Sequence, residues 1–356
     1  MSVTDVPKYE QVKRSLVKEI QTGRWSPGSP FPSESQLLQR YKVSRPTLIR
    51  SLQEMVRDGY LYREQGRGTF VADLSKKARS ETVAVFISNE AAELSGDARE
   101  VQLRMINGIQ SALGQSRPTM AVRQIEPNTL DQDTKWFLDQ TPPGMALVIE
   151  PSFNPTLVRE LQERGWNTWA LNEPCPGCNS VYIDQDAAGY IATKYLISHG
   201  CKRIAMLNGP LKEYWGFEAR QQGYARALKE AGLEVDPALS RQGMHPIDSE
   251  AGRAMQRELL DAGVKPDGVV GASDAKAMGA IAAAQEAGLS IPNDIRFVSI
   301  DNTLADRSDP PLSAVSLPFG QLGEQAVQQA SQSQNRAPGT VAMNMQICLQ
   351  PTLIER

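Results

Sequence analysis

A chain of 356 residues with 40% hydrophobic and 22% charged content can bury a large core. No signal-peptide pattern opens it and no uninterrupted apolar run is long enough to span a bilayer, so a membrane role is excluded and a cytoplasmic protein expected. The net charge of −3 is unevenly spread: residues 1–80 hold 15 Lys+Arg against 8 Asp+Glu, or +7, which leaves −10 beyond them.

A first helix is expected over about Tyr9 to Thr22, with Tyr9, Val12, Leu16 and Ile20 on one stripe and Gly23 closing it. A second runs from Ser33 to about Tyr41, where Ser33 and Gln36 have capping-box spacing and Leu37 and Leu38 face inward. After a turn at Lys42-Val43, Ser44 caps a third helix whose Leu48, Leu52 and Met55 recur at helical spacing. Pro46 is tolerated in its first turn, where amide groups have no intrahelical partner. Pro46, Thr47 and Arg50 then fall on the opposite face, and Arg45 projects from the N-terminal end, where the helix dipole favours phosphate. Gln65-Gly66-Arg67 forms a basic turn between two strand-like runs. Three helices and a hairpin with excess positive charge read as a winged helix-turn-helix that contacts double-stranded DNA.

Several motifs carry a family resemblance: Pro7-Lys8-Tyr9-Glu10-Gln11-Val12, Gly23-Arg24-Trp25-Ser26-Pro27-Gly28, Phe31-Pro32-Ser33-Glu34, Val43-Ser44-Arg45-Pro46-Thr47 and Gln65-Gly66-Arg67-Gly68-Thr69-Phe70-Val71. In order and spacing, residues 7 to 73 resemble the GntR family of bacterial repressors. The resemblance implies a recognition helix in the major groove and a wing tip in the minor groove, with contacts from Ser44, Arg45, Thr47, Gln65, Gly66 and Arg67. Two positions depart from it. Ser35 stands where arginine commonly follows Pro-Ser-Glu, and Ile49 replaces the arginine that usually follows in the recognition helix. Arg50, next to Ile49, is expected to substitute, which implies a different operator.

The domain boundaries expected are 1–73 for the head, 74–81 for a polar linker and 82–356 for the body. In the body, strand-like runs at Val83–Ile87, Met120–Ile125, Ala146–Ile149, Trp169–Leu171, Val181–Ile183, Arg203–Leu207, Gly268–Gly271 and Arg296–Ile300 alternate with helical patterns. Repeated βα units imply parallel sheets with helices on both faces, and such folds bind ligands at strand carboxyl ends. Asn89, Asn172, Ser273-Asp274 and Asp301-Asn302 are the polar residues placed there.

Val181-Tyr182-Ile183-Asp184, Gly200-Cys201-Lys202-Arg203-Ile204, Arg220-Gln221-Gln222-Gly223, Ala272-Ser273-Asp274, Ile291-Pro292-Asn293-Asp294-Ile295, Ser299-Ile300-Asp301-Asn302 and Pro310-Pro311-Leu312-Ser313 resemble the effector domain of the LacI/GalR repressors. The likeness covers about residues 82 to 356 and implies a two-lobed, doubly wound α/β, periplasmic-binding-protein-like body with a ligand cleft between lobes. It also implies effector contacts from Arg220, Ser273, Asp301 and Phe319, with Asn172 where an acidic contact is common. A GntR-type head on this body is similar to the architecture of bacterial arabinose repressors. Chemically, a guanidinium such as Arg220 with acidic acceptors suits a polyol. Tyr214, Trp215 and Phe217 either offer a flat face to a sugar ring or pack under a loop.

Other features have ordinary structural readings. Asp184 reads as a helix cap, Asp274 either as a cap or as an effector contact, and His199 as a helix C-terminus. Cys201 and Cys348 read as buried small hydrophobes, and Cys175-Pro176-Gly177-Cys178 as a loop with two free thiols, a zinc or redox site being the alternative. No P-loop or nucleophile elbow occurs, so an enzyme is not expected, and no cofactor or metal is implied. The function expected is a DNA-binding transcriptional repressor, a homodimer on a palindromic operator, controlled by a small sugar or sugar-like effector.

Overall fold

The computed structural model describes residues 7–21, 23–57, 60–64, 67–72, 82–88, 96–114, 119–212, 214–243, 249–333 and 344–356. Contacts divide the chain into two units, Met1–Glu81 and Thr82–Arg356. The expected linker at 74–81 lies outside the described residues.

The first unit has helices α1 (Lys8–Gln21), α2 (Glu34–Tyr41) and α3 (Arg45–Arg57), then strands β1 (Leu61–Glu64) and β2 (Gly68–Val71). The Ser33 hydroxyl accepts from the Gln36 amide while the Gln36 side chain takes the Ser33 amide, the capping box expected from the sequence. α2 ends where Lys42 turns left-handed at φ 49°. Val12, Leu16 and Ile20 of α1, Leu37 of α2, Leu48, Leu52 and Met55 of α3, and Leu61 and Val71 of the hairpin bury one shared core. Leu38, expected to face inward, is only half-buried at its edge. β1 and β2 pair antiparallel from Leu61↔Val71 to Glu64↔Gly68, and Tyr62 stacks on Phe70 at 5.5 Å.

The second unit holds two six-stranded sheets. The first has the order β13-β7-β6-β5-β3-β4, from β3 (Val83–Ser88), β4 (Met120–Ile125), β5 (Met145–Ile149), β6 (Asn167–Leu171), β7 (Asn179–Ile183) and β13 (Gln346–Leu349). The second has the order β14-β12-β11-β10-β8-β9, from β8 (Ile204–Asn208), β9 (Ser240–Gln242), β10 (Gly268–Gly271), β11 (Arg296–Asp301), β12 (Ser313–Ser316) and β14 (Thr352–Ile354). All neighbours are parallel except β14, which runs against β12. The chain passes from the first lobe to the second after β7, returns after β12, and passes again after β13.

Helices α4 (Gly96–Leu113), α5 (Gln132–Gln140), α6 (Pro155–Glu163) and α11 (Phe319–Ser333) belong to the first lobe. Helices α7 (Gln185–Ser198), α8 (Trp215–Glu230), α9 (Ser249–Asp261) and α10 (Asp274–Glu286) belong to the second. β3, β5 and β10 are buried along their whole length, the run of apolar residues that parallel strands covered on both faces require. Cys348 departs from expectation: it is exposed, because β13 lies at the sheet edge, whereas Cys201 is buried.

One close approach sets the geometry of the site below. A Cβ on Gly189 of α7 would lie 2.1 Å from the Arg220 carbonyl, and one on Gly223 of α8 would lie 1.9 Å from that of Asp186. The two helices therefore meet backbone to backbone, and this contact carries Arg220 in over the ends of β10 and β11. Gly189→Val should force them apart at a cost of about 1–3 kcal/mol, the usual penalty for overpacking. Chemical denaturation of the variant beside the parent protein measures that loss.

Candidate functional site

In the first unit the candidate contacts cluster on α3 and the hairpin. Ser44 is exposed and caps α3, accepting from the Thr47 amide at 3.4 Å and sharing a 2.7 Å hydrogen bond with the Thr47 hydroxyl. Pro46 is exposed and Thr47 half-buried. Ser51, one position past Arg50, is buried and donates to the Tyr9 carbonyl at 2.7 Å, which fixes the face that α3 turns toward α1. Arg45, Arg50 and Arg67 stay exposed, and each is near a glutamate: Glu34 at 3.5 Å, Glu54 at 3.7 Å and Glu64 through an i,i+3 pair. Arg50 also lies 3.9 Å above the Tyr9 ring. Exposed pairs of this kind contribute about 0–1 kcal/mol, so the arginines can exchange their glutamates for phosphate. Gln65 and Gly66 lie outside the described residues.

In the second unit, contacts between the lobes gather at the carboxyl ends of parallel strands, the loop after β11 and Asn172 after β6. Asn89, expected there, lies outside the described residues. Arg220 is 4% exposed. Its Nε donates to Gln185 Oε1 at 2.8 Å, its Nη2 to Asp301 Oδ1 at 3.0 Å, and its Nη1 to the Ala272 carbonyl. One guanidinium thus ties the start of α7 to the ends of β10 and β11. Asp301 and Arg220 form a buried ion pair, which the sequence did not anticipate; it expected both to face ligand.

Ser273, expected to contact effector, takes the cap that was one of the two readings of Asp274, and Asp274 takes a role that neither reading gave it. The Ser273 hydroxyl caps α10 by accepting from the Lys276 amide at 3.3 Å. Asp274 is fully buried, and its carboxylate accepts from the Ser299 hydroxyl and from the amides of Asn302, Thr303, Leu304 and Ala305. That carboxylate holds the loop after β11 in place, a task that leaves the helix cap to its neighbour. The same loop meets the other lobe, where Arg104 of α4 donates to the Asn302 carbonyl at 3.1 Å and the Thr303 carbonyl at 3.2 Å.

A second contact between lobes is aromatic. Trp215 Nε1 and the Tyr214 hydroxyl donate to the Asn172 carbonyl at 3.2 and 3.4 Å. Tyr214 and Trp215 are half-buried, while Phe217 is buried, with the Lys276 ammonium 5.7 Å from its centroid. Phe319 opens α11 as a core residue, 3% exposed.

Two cleft residues escaped sequence reasoning. Glu150 follows β5 at φ 53° and Glu173 follows Asn172, the first residue after β6. Burial pushes the Glu150 carboxyl up to about 7, repulsion from Glu173 adds to this, and the Asn172 amide, donating at 3.1 Å, opposes it. Glu173 is also raised by burial, against the Ser152 amide that donates to it at 2.6 Å. An acidic residue within two positions of the end of an apolar strand was the available signal, close to the one that pointed to Asp301. Of the six non-glycine residues with positive φ among those described, Glu150, Asn172, Asp301 and Asn302 lie at these strand ends. Backbone strain of this kind collects at ligand clamps.

Asp184 caps α7 through the Ala187 amide at 2.8 Å, and His199 closes the same helix. Among the described residues no three His, Cys, Asp or Glu side chains converge to hold a metal ion. Cys178 is buried, its thiol donates to the Thr168 carbonyl and its amide to the Cys175 carbonyl at 3.1 Å, in a tight Pro-Gly turn. No helix among the described residues is long and apolar enough to cross a membrane.

Comparison with known proteins finds one family match in the first unit and another in the later part of the second. Residues 8–71 match the family of bacterial regulatory proteins named gntR, and residues 193–356 match the periplasmic binding protein-like domain. The HTH-type transcriptional repressor CytR of Escherichia coli (strain K12) is 36% identical over 149 residues, which is 42% of this chain and 43% of that protein. The chain thus matches under half the length of this curated relative. Among solved structures, the transcriptional regulator CelR–cellobiose complex covers 88% of this chain and 91% of its own at 24% identity and a TM-score of 0.65. The Lac repressor dimer bound to operator and the anti-inducer ONPF covers 80% and 95% at 22% identity and a TM-score of 0.64. At those identities the two structures establish the fold.

Two outcomes follow for the cleft. Arg220→Ala breaks the buried ion pair with Asp301 and should cost about 3–5 kcal/mol in a denaturant titration. Glu150 keeps a proton in the folded protein between about pH 4.5, its unfolded value, and about 7, so its contribution to stability falls as pH rises through that window. Glu150→Gln should therefore melt higher than the parent at pH 8 and gain little at pH 5; equal shifts at both pH values would contradict this.

Proposed function

We propose that this chain, a gntR-type head joined to a periplasmic-binding-protein-like body, is a sequence-specific DNA-binding transcriptional regulator whose operator affinity is set by a small sugar or sugar-like effector. The regulator is a repressor, acts in the cytoplasm, and carries out no enzymatic step. The observation that carries the reading is the outward face of α3, where Arg45 and Arg50 remain exposed while Leu48, Leu52 and Met55 are buried behind them. A recognition helix needs that division: apolar residues to seat it, and long donors free to reach phosphates and base edges.

The effector lies between the lobes, against the strand ends that carry Ser88, Glu150, Asn172 and Asp301 and the Arg220 guanidinium that α8 brings over them. The lobes are joined there by polar contacts that a ligand can rearrange, namely Arg104 on the loop after β11 and Tyr214 with Trp215 on Asn172. A ligand that binds one lobe arrangement better than the other shifts the balance by the difference in its affinities. Asp274 takes part by holding the Arg104 loop, not by touching the effector.

The regulator acts as a homodimer on a palindromic operator. One small head reaches few base pairs, and two heads related by a twofold axis match two half-sites. The curated relative CytR is a repressor, and the solved Lac repressor is a dimer bound to operator, both in keeping with this reading.

Gel shift of the full chain against operator candidates from DNA selected by repeated binding tests the proposal. Arg50→Ala should weaken operator binding and relax its sequence preference, each lost base contact being worth about 1–3 kcal/mol. Arg67→Ala should weaken binding to all sequences alike and lower the slope of log affinity against log salt by about 1. A chain that selects no duplex at low salt, with or without sugars, would overturn the regulator.

A further inference from the structure

The strand register sets three polar residues in a row across the first lobe. Val85↔Leu147 and Phe86↔Val148 pair β3 with β5, and Ile149↔Leu171 pairs β5 with β6, so Ser88, Glu150 and Asn172 end three adjacent strands at one level. Glu173 follows directly. Ser88 is 2% exposed, Asn172 3% and Glu173 4%. Ser88 Oγ and Asn172 Oδ1 are buried without a hydrogen-bond partner, as is Nε2 of Gln185, the residue that also holds Arg220. An unpartnered buried polar atom is costly, and three of them where two lobes meet mark places that a ligand fills.

The charges around this row are lopsided. On the second lobe Arg220 is paired with Asp301, and the buried Lys276 shares its helix with the buried Asp274. On the first lobe, Glu150 and Glu173 have no arginine or lysine among the described residues within ion-pair distance, and they repel each other. Their neighbours are amides and rings: the Asn172 amide, the Ser152 backbone amide and Tyr214. The wall therefore accepts hydrogen bonds and repels negative charge, and the only guanidinium described at the cleft centre is already committed on all three sides.

We infer that the effector is an uncharged or amine-bearing polyol, its hydroxyl or ammonium donors facing Glu150, Glu173 and Asn172, and that the cleft excludes phosphate esters and carboxylates of the same sugar. This rests on the reading of the cleft as the effector site and adds the charge class of what it admits. Above about pH 7, where Glu150 is ionised, a phosphate or uronate would place a further anion beside the half-buried Glu150 and the buried Glu173 carboxylates in a medium that screens poorly. An ammonium would instead neutralise them, and a neutral hydroxyl donates to them without charge. Discrimination here comes from what the wall rejects.

Thermal shift followed by calorimetry on the full chain tests the inference. The probes are matched sets of pentoses, hexoses and nucleosides, each as the neutral parent, an amino analogue, a carboxylate and a phosphate ester. Binding should appear only with neutral or amino members, the phosphate ester of a bound parent being weaker by roughly 100-fold or more. Glu150→Gln combined with Glu173→Gln keeps the shape and removes the charge, so it should narrow that gap and weaken any amino ligand. A phosphate or carboxylate that binds as tightly as its parent overturns the charge class while leaving the cleft assignment intact. A gap unchanged in the double variant also overturns it. Absence of binding by every member rejects the polyol cleft and the inference with it.

Discussion

Arg220 brings three distant parts of the chain to one point: Gln185 at the start of α7, the end of β10 through Ala272, and Asp301 at the end of β11. A guanidinium removed from water must have its donors met in fixed directions, and here a side-chain amide, a backbone carbonyl and a carboxylate do so. The residue can sit there only because Gly189 and Gly223 let α7 and α8 touch through their backbones. Packing between two helices thereby fixes the electrostatics of the cleft. The floor it builds in the second lobe is charge-balanced, which leaves the acidic wall of the first lobe to set the character of the space between them.

Two sets of polar links between the lobes, among the described residues, share a design. On one side a carboxylate, Asp274, gathers the amides of residues 302–305, and the loop so held presents two carbonyls to Arg104. On the other, a left-handed turn at Asn172 presents its carbonyl to Tyr214 and Trp215. In both cases the acceptor is backbone and the donor a long side chain from the opposite lobe. Such contacts can part and re-form with little change inside either lobe.

Much of this architecture is legible in the chain. Apolar runs alternating with helical stripes locate β3 to β8, β10 and β11; except for the edge strand β4, this is because strands buried on both faces must be nearly continuously apolar. β9, β12, β13 and β14 were not anticipated: each is four residues or fewer, and β13 and β14 follow an edge pattern of alternating exposure that a short window does not separate from loop. At the site, Arg220 and Asp301 stood out by resemblance, yet their pairing with each other depends on helix packing that no local pattern encodes. Ser273 and Asp274 were adjacent candidates whose roles depend on which side chain reaches the following loop. Glu150 and Glu173 carried the signal of a polar residue after an apolar strand, but a lone glutamate in that position reads equally as a solvated loop until neighbouring strands bury it.

The head shows a different economy of charge. Arg45, Arg50 and Arg67 each stand beside a glutamate of their own unit, so the face that would meet a phosphate backbone is partly self-neutralised until a stronger anion displaces those partners. Each glutamate then acts as a tethered competitor, present at high local concentration and never diffusing away. On the proposed recognition role, such competition would shorten the time spent on random duplex more than on a sequence where base edges also hold the arginines, which trades residence at the wrong address for speed in reaching the right one.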